Sequence, residues 1–356
     1  MITTDIAPLV LVPKMATAIW GGDALVKTYG KTGDPAAPLG ESWECWDENT
    51  IAGGAHAGET LAAVRAELGR ALTGPADPAA RFPVLTKIID AHQALSVQVH
   101  PDDAYAQRVE HQPVGKTECW YILGAEPGAE LVLGWTRDTD RAEFERRVAD
   151  GTLGEILRRV PVSPGQAYYL PADTLHAIGA GIELFETQQA SDLTYRIFDW
   201  NRVDADGKPR QLNVEKAADV LDFRATMPGA VEQLTFADGG VVRTVAIADR
   251  RFAVERLRVE RAGATIATDG RPLAVLAMDA PQTLTSGGAS AALRPWETAV
   301  VPAAAGQVAF GAPGEVLLVR VAPDLDRLRA AARAAGIGAE ELERFCGQFS
   351  GVSAPA

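Results

Sequence analysis

Apolar and polar residues alternate with a period of two through much of the chain, in short runs punctuated by Gly and Pro. That pattern predicts strands with one buried face and an all-β barrel or sandwich. The clearest run is 95–100 (LSVQVH), where Leu95, Val97 and Val99 fall on one face and Ser96, Gln98 and His100 on the other. The run 116–122 (KTECWYI) places Lys116, Glu118 and Trp120 on one face. Further strands are predicted at 166–171, 182–186, 252–259, 273–278, 298–302 and 316–321.

Helical spacing interrupts this pattern at 60–72, at 140–160 as one or two helices broken near Gly151, and at 214–221. The last segment differs again: 323–335 and 339–348 predict two small helices rich in Ala, Arg and Glu. With a break at 227–229 (MPG), the expected organisation is a 1–229 domain with helical insertions, a 230–322 β domain and a 323–356 helical tail. All five histidines, His56, His92, His100, His111 and His176, precede residue 230. The carboxy-terminal β segment therefore cannot build a histidine metal site, and its expected role is structural.

Composition narrows the function classes. A length of 356 residues and 47% hydrophobic content can bury a substantial core, and the length favours two or more domains. The net charge of -13, with no block of like charge, argues against general affinity for nucleic acid or anionic membrane. A phosphorylated substrate would then need a locally basic pocket. Cys45, Cys119 and Cys346 are too few and too scattered for a disulfide framework or a thiolate zinc site, so reduced thiols in a cytoplasmic protein are expected. The segment 1–13 lacks the cationic start of a signal peptide, and no run of about 18 apolar residues reads as a membrane span.

Ser96, Gln98 and His100 are successive same-face positions, so their side chains point into one space at intervals of about 6.5–7 Å. Taken alone, that set is either a solvated sheet face or a barrel lumen with a ligand; the aliphatic opposite face and the closing Pro101 suit the lumen. Lys116 and Glu118, two apart, equally suit a surface ion pair until His176 is considered. The segment 165–176 (GQAYYLPADTLH) has a Gly, a Pro six positions later and a His five beyond it. It resembles the second motif of the cupin superfamily, with Asp173 where a Gly is usual. Gln98 and His100, followed by Glu118, resemble the first motif, with Gln in place of one His. In that superfamily such residues hold one divalent metal inside a jelly-roll barrel. Imidazole with carboxylate suits zinc, and also iron or manganese. The motif says little about the reaction, because one fold hosts many chemistries.

Longer strings are more specific. The segments 95–103 (LSVQVHPDD), 115–123 (GKTECWYIL), 171–181 (PADTLHAIGAG) and 186–200 (ETQQASDLTYRIFDW) resemble, in order and spacing, type I phosphomannose isomerases of the short bacterial kind. Supporting strings are 19–22 (IWGG), 40–44 (GESWE), 82–91 (FPVLTKIIDA) and 212–220 (LNVEKAADV), so the resemblance covers about the first two-thirds of the chain. It implies a mainly β fold of cupin (jelly-roll) barrels, with one zinc ion per chain held by Gln98, His100, Glu118 and His176. It implies further that Lys87, Ser96 and Lys116 hold the substrate phosphate, and that Arg196 and Glu186, with Lys116, act at the reacting end of the sugar. From the residues alone, Lys87 is an amphipathic side chain snorkelling from a buried strand, and Arg196 is a partner of Asp192 or Asp199. Glu41 and Trp43 are equally pocket-wall or structural residues.

The implied reaction interconverts mannose 6-phosphate and fructose 6-phosphate through a cis-enediol or enediolate, with Glu186 or a zinc-bound hydroxide as base. The implied partner is a small sugar phosphate, with no nucleic acid or membrane, and the chain is a monomer or a homodimer. Three other readings remain: an isomerase for another aldose, a metal-dependent cupin dioxygenase, and a sugar-binding cupin without chemistry. Gln98 at a ligand position disfavours the dioxygenase, and the joint presence of Lys116, Glu186 and Arg196 disfavours the binding protein.

Overall fold

A computed structural model describes residues 7–34, 37–203, 207–226 and 228–349. The period-two segments become strands of four sheets, divided between two units. One unit comprises 15–42 and 88–230; the other comprises 1–14, 43–87 and 231–356.

In the first of these, a five-stranded sheet runs in the order Tyr195–Phe198, Val97–Val99, His176–Ile178, Glu130–Trp135, Leu157–Pro161. Leu131, Leu133 and Ile178 from this sheet join Trp120, Ile122, Tyr168, Leu170, Ile182 and Leu184, from strands Glu118–Ala125, Ala167–Leu170 and Ile182–Gln189 of a six-stranded sheet, in one core. Alternate residues of the five-stranded sheet, Val97, Val99, Val132, Ala177 and Ile197, pack instead with Phe144 of helix Arg141–Ala149 and with Ala217, Ala218 and Val220 of helix Val214–Val220. The helices thus cover the outer face of that sheet. Full burial of a valine contributes about 1.5–3 kcal/mol, so burial of Val97 and Val99 against the helices fixes the strand register. A slip by one residue would turn them into the barrel and Gln98 out of it.

Three expectations about elements are corrected. Leu95 precedes its strand and packs in the inner core, away from Val97 and Val99. Of the one or two helices expected over 140–160, the first ends at Ala149 and the break falls at Gly151 (φ 70) as expected, but beyond it the chain makes a single turn, Leu153–Ile156, and then strand Leu157–Pro161 in place of a second helix. Leu153, Ile156, Leu157 and Val160 stand at helical spacing, but pairing of Leu131 with Val160 and of Val132 with Arg159 overrides it in favour of the sheet. The helix expected over 60–72 divides at Gly69 (φ 54) into Leu61–Leu68, capped by Thr60, and Arg70–Thr73.

The other unit carries an eight-stranded sheet that includes Phe252–Val259, Gly314–Val321, Leu273–Ala277, Thr298–Val301 and Leu9–Val12 in that order, and a four-stranded sheet. Leu257, Val275, Ala299 and Leu318 meet Ile266, Leu284, Val308 and Phe310 in its core. The tail forms helices Leu325–Ala334 and Ala339–Gly347 as expected, while 350–356 fall outside the described residues. The chain enters this unit at 231, but the unit also takes 1–14 and 43–87, which the expected 1–229 domain contained. The cause is long-range pairing: Leu9 stands opposite Val300 and Leu11 opposite Thr298. Met227, in the expected break, lies outside the described residues. Cys45, Cys119 and Cys346 form no disulfide. Among the described residues no helix is long and apolar enough to cross a membrane.

Candidate metal centre

Sheet register brings the polar residues together. His176 stands directly opposite Gln98 on one side of strand Val97–Val99, and Arg196 opposite Gln98 on the other. Glu118 opens strand Glu118–Ala125 and stands opposite Gln188. His100 follows its strand by one residue, so it keeps the inward direction of Gln98.

The Glu118 carboxylate lies between two imidazoles: Oε2 is 3.4 Å from His100 Nε2 and Oε1 is 3.4 Å from His176 Nε2. All three side chains are buried, and their donor atoms lie within 4.8 Å of one another. Gln98 joins the group, with its amide nitrogen Nε2 3.3 Å from His176 Nε2 and its Oε1 accepting from Ser96 Oγ. On the far side of each ring, His100 Nδ1 donates to the carbonyl of Leu193 (2.8 Å) and His176 Nδ1 to that of Thr174 (2.9 Å). Those carbonyls select the tautomer in which each Nε2 turns a lone pair inward, the arrangement typical of metal-ligating histidines.

The donor set fits a divalent ion. Imidazole nitrogen and carboxylate oxygen are both ligands of such an ion, and each imidazole lies 3.4 Å from one oxygen of the same carboxylate. Neither oxygen of Glu118 receives a well-directed hydrogen bond from a described residue, although Lys116 Nζ stands 2.8 Å from Oε2. The His100 Nε2 lone pair meets the Lys116 ammonium and that of His176 the Gln98 amide nitrogen, each at 3.3 Å, and with the buried carboxylate short of donors they form a donor cluster suited to a cation.

Electrostatics agree. Burial, seconded by the Lys116 ammonium, pushes His100 down to about 3, and burial lowers His176 as well. Burial alone would raise the Glu118 carboxyl, but Lys116 and His100 outweigh it and hold the group well below the usual carboxylate range. The three donors are therefore in their ligating protonation states at neutral pH.

The polar chain continues from this group. Ser96 Oγ lies 3.3 Å from Gln98 Oε1 and accepts from Arg196 Nε at 3.2 Å, while Arg196 Nη1 donates to the Gln211 carbonyl. The backbone of Arg196 is gripped by Asn213, whose side chain accepts its N–H and whose own N–H donates to its carbonyl. Arg196 has no direct ion pair with Asp192 or Asp199; Asp199 instead holds Arg202 and Arg210. Glu186 is buried opposite Trp120 in the ladder and accepts the indole N–H at 3.2 Å, and the Trp120 ring meets His176 edge-on at 5.4 Å. Lys87 belongs to the other unit, where it is buried with its ammonium 5.2 Å from the centre of the Trp43 ring.

The site residues that sequence reasoning missed are mainly backbone: the carbonyls of Leu193 and Thr174 orient both imidazoles, and no side-chain pattern signals a carbonyl. Asn213 could have been found as a helix-capping residue next to an expected helix, but not as the partner of Arg196. A second group, His56 with Glu59 and Glu67, is partly exposed and has no inward-facing carboxylate short of donors.

Two sheets enclosing two histidines, a glutamate and a glutamine on adjacent inward strands define a cupin-type β-barrel protein with a candidate divalent-metal centre. Residues 9–121 match the model of the type I phosphomannose isomerase catalytic domain. Over 222 residues the chain is 42% identical to the mannose-6-phosphate isomerase ManA of Bacillus subtilis, covering 60% of this chain and 68% of that one. A mannose-6-phosphate isomerase of Streptococcus mutans is 42% identical over 219 residues, 60% of this chain and 67% of its own. The crystal structure of the mannose 6-phosphate isomerase from Bacillus subtilis superposes with a TM-score of 0.81 at 30% identity, covering 88% of this chain and 99% of that one. The chain belongs to the type I phosphomannose isomerase family.

Proposed function

We propose that this chain interconverts D-mannose 6-phosphate and D-fructose 6-phosphate, using one zinc ion held by Gln98, His100, Glu118 and His176. The observation that carries this reading is the Glu118 carboxylate set 3.4 Å from two imidazole nitrogens whose far sides are fixed by carbonyls. Bound there, zinc supplies Lewis-acid polarisation of the sugar oxygens.

The chain's own residues do the rest. The isomerisation removes the proton on C2 and returns one to C1, with negative charge developing on the sugar oxygens in between. Glu186, buried beside Trp120 on the same sheet face as Glu118, carries the proton. Arg196 presents a fixed cationic fork to the developing charge, oriented by Ser96 and by the Gln211 carbonyl. Lys116, 2.8 Å from a ligand oxygen, acts at the same end. Lys87, Ser96 and Lys116 receive the phosphate, whose binding energy holds the open-chain sugar in register with the base. The contact of Ser96 with Arg196 supports a second duty for its hydroxyl, orientation of the guanidinium. The same reading places the chain in the cytoplasm, as a monomer or homodimer acting on a diffusible sugar phosphate, without nucleic-acid or membrane partners.

The test is a coupled assay for fructose 6-phosphate formed from mannose 6-phosphate, before and after chelation and with zinc added back, alongside unphosphorylated sugars. Turnover that is lost on chelation, restored by zinc and dependent on the phosphate is expected. Zinc-loaded protein that binds the sugar phosphate without turnover would overturn the catalytic reading in favour of a binding protein.

A further inference from the structure

Lys116 and Glu118 are separated by Thr117, and none of the three tripeptide positions 115–117 lies within a regular strand, since the ladder begins at Glu118. Something else must hold this stretch, because a shift of 1 Å would move both a proposed metal ligand and a proposed substrate contact. Gln189 does so. Its backbone N–H donates to the Thr117 carbonyl at 3.0 Å, and its side-chain Oε1 accepts the Thr117 N–H at 2.9 Å. The carboxamide therefore takes the place of the backbone carbonyl that a continuing ladder would have offered. The other end of the same amide, Nε2, donates to Asp103 Oδ1 at 2.9 Å, and that oxygen also accepts the Gly115 N–H at 2.9 Å. Lys116 N–H in turn donates to the Pro101 carbonyl at 3.0 Å.

Three consecutive N–H groups, of Gly115, Lys116 and Thr117, are thus each satisfied by a partner outside the strand, and Gln189 bridges the first and last through Asp103. There is no slack in this packing: a Cβ on Gly115 would meet the Pro101 oxygen at 2.3 Å and the Asp102 carbonyl carbon at 2.4 Å. Gln189 itself is buried, so its amide has no water to exchange for these partners. None of its contacts reaches the metal donors or the sugar-facing groups directly.

We propose that Gln189 is a positioning residue for the isomerase reaction, its amide clamping the 115–117 backbone so that Glu118 meets the metal and Lys116 the substrate. This rests on the function proposed above. A purely structural glutamine would support the fold and leave the metal untouched; a clamp changes how well Glu118 binds zinc.

The test compares Gln189→Leu, which removes both side-chain bonds at similar volume, with Gln189→Glu, which keeps an acceptor for the Thr117 N–H. Zinc affinity is read by competition with a chromogenic chelator, kcat and KM with mannose 6-phosphate, and folding by circular dichroism. Substitution of residues that orient metal ligands lowers affinity about 10- to 100-fold. That loss is expected for folded Gln189→Leu, with lower kcat/KM, and a loss also in Gln189→Glu, whose carboxylate keeps the Thr117 N–H but faces the Asp103 carboxylate where the amide donated. Zinc affinity and kcat/KM at the wild-type value in folded Gln189→Leu overturn the clamp. If Gln189→Leu fails to fold, Gln189→Glu decides: wild-type zinc affinity and KM together with a lowered melting temperature overturn it, whereas weakened zinc binding supports it. Wild-type protein that binds zinc without isomerising mannose 6-phosphate sinks the proposed function, and the zinc measurements still judge the clamp.

Discussion

Glu118→Gln preserves the shape of the proposed central ligand and removes only its charge. Two effects follow from its surroundings. In metal-free protein the Lys116 ammonium, buried and 2.8 Å from Glu118 Oε2, loses its counter-ion. Breaking a buried pair by deleting one partner costs about 3–5 kcal/mol, and the low end applies here because the lysine stem can swing its ammonium toward solvent. In metal-loaded protein the anionic ligand is replaced by a neutral amide. Changes to residues that merely orient ligands cost about 10- to 100-fold in affinity, so loss of a direct anionic ligand should exceed about 100-fold, or about 2.7 kcal/mol. Zinc competition at pH 7 and urea unfolding of the chelator-stripped protein read the two effects separately. Adding Lys116→Met should restore much of the metal-free stability without restoring zinc binding, because both buried charges are then gone. A zinc affinity within threefold of wild type in Glu118→Gln would refute the reasoning.

Lys116→Ala should raise KM for mannose 6-phosphate about 10- to 100-fold, the worth of a charge-assisted hydrogen bond, while zinc binding is retained or tightened by removal of a neighbouring cation; an unchanged KM argues against the assignment. Because His100 sits at about 3 rather than its ordinary 6.5, protons do not compete for its Nε2 above that value. Burial lowers His176 as well, so zinc affinity, corrected for the competing chelator, should fall less between pH 7 and pH 5 than two imidazoles titrating at their ordinary value would require, and a fall as large as that contradicts the buried neutral imidazoles. In the other unit, Glu255 is fully buried between Arg243 (2.8 and 3.0 Å) and Arg320 (2.6 Å). Burial would raise its carboxyl, but the two guanidiniums bring it from 4.5 to about 2. Its contribution of about 3 kcal/mol is complete above pH 4.5 and lost as pH falls through 2, so Glu255→Gln should lower stability at pH 7 by about 3–5 kcal/mol and flatten the acid limb of a urea-unfolding series.

How much was legible depended on whether the information was local. The alternation of Val97 and Val99 with Gln98 and His100 is a local signal, and the helices that bury the valines turn the polar set inward as that signal predicts. His176 was visible through its spacing from Gly165 and Pro171, even though Asp173 with φ 68 occupies the position where a Gly is usual. Strand Leu157–Pro161 was misread because four apolar residues, Leu153, Ile156, Leu157 and Val160, stand at helical spacing, and only its ladder partner, distant in sequence, overrides that local signal. Pairing of Leu9 with Val300, which draws the start of the chain into the carboxy-terminal unit, has no local signature at all. Within the site, Gln98, His100, Glu118 and His176 are side chains that chemistry singles out and that the structure brings together, while the Leu193 and Thr174 carbonyls beside the imidazoles, and the amide of Gln189, carry no motif.

The most direct measurement is anomalous diffraction at the zinc edge from crystals of the zinc-loaded protein. A single peak within about 2.0–2.2 Å of His100 Nε2, His176 Nε2, a Glu118 oxygen and Gln98 Oε1 is predicted. A peak elsewhere, or none at full zinc occupancy in solution, would contradict the account.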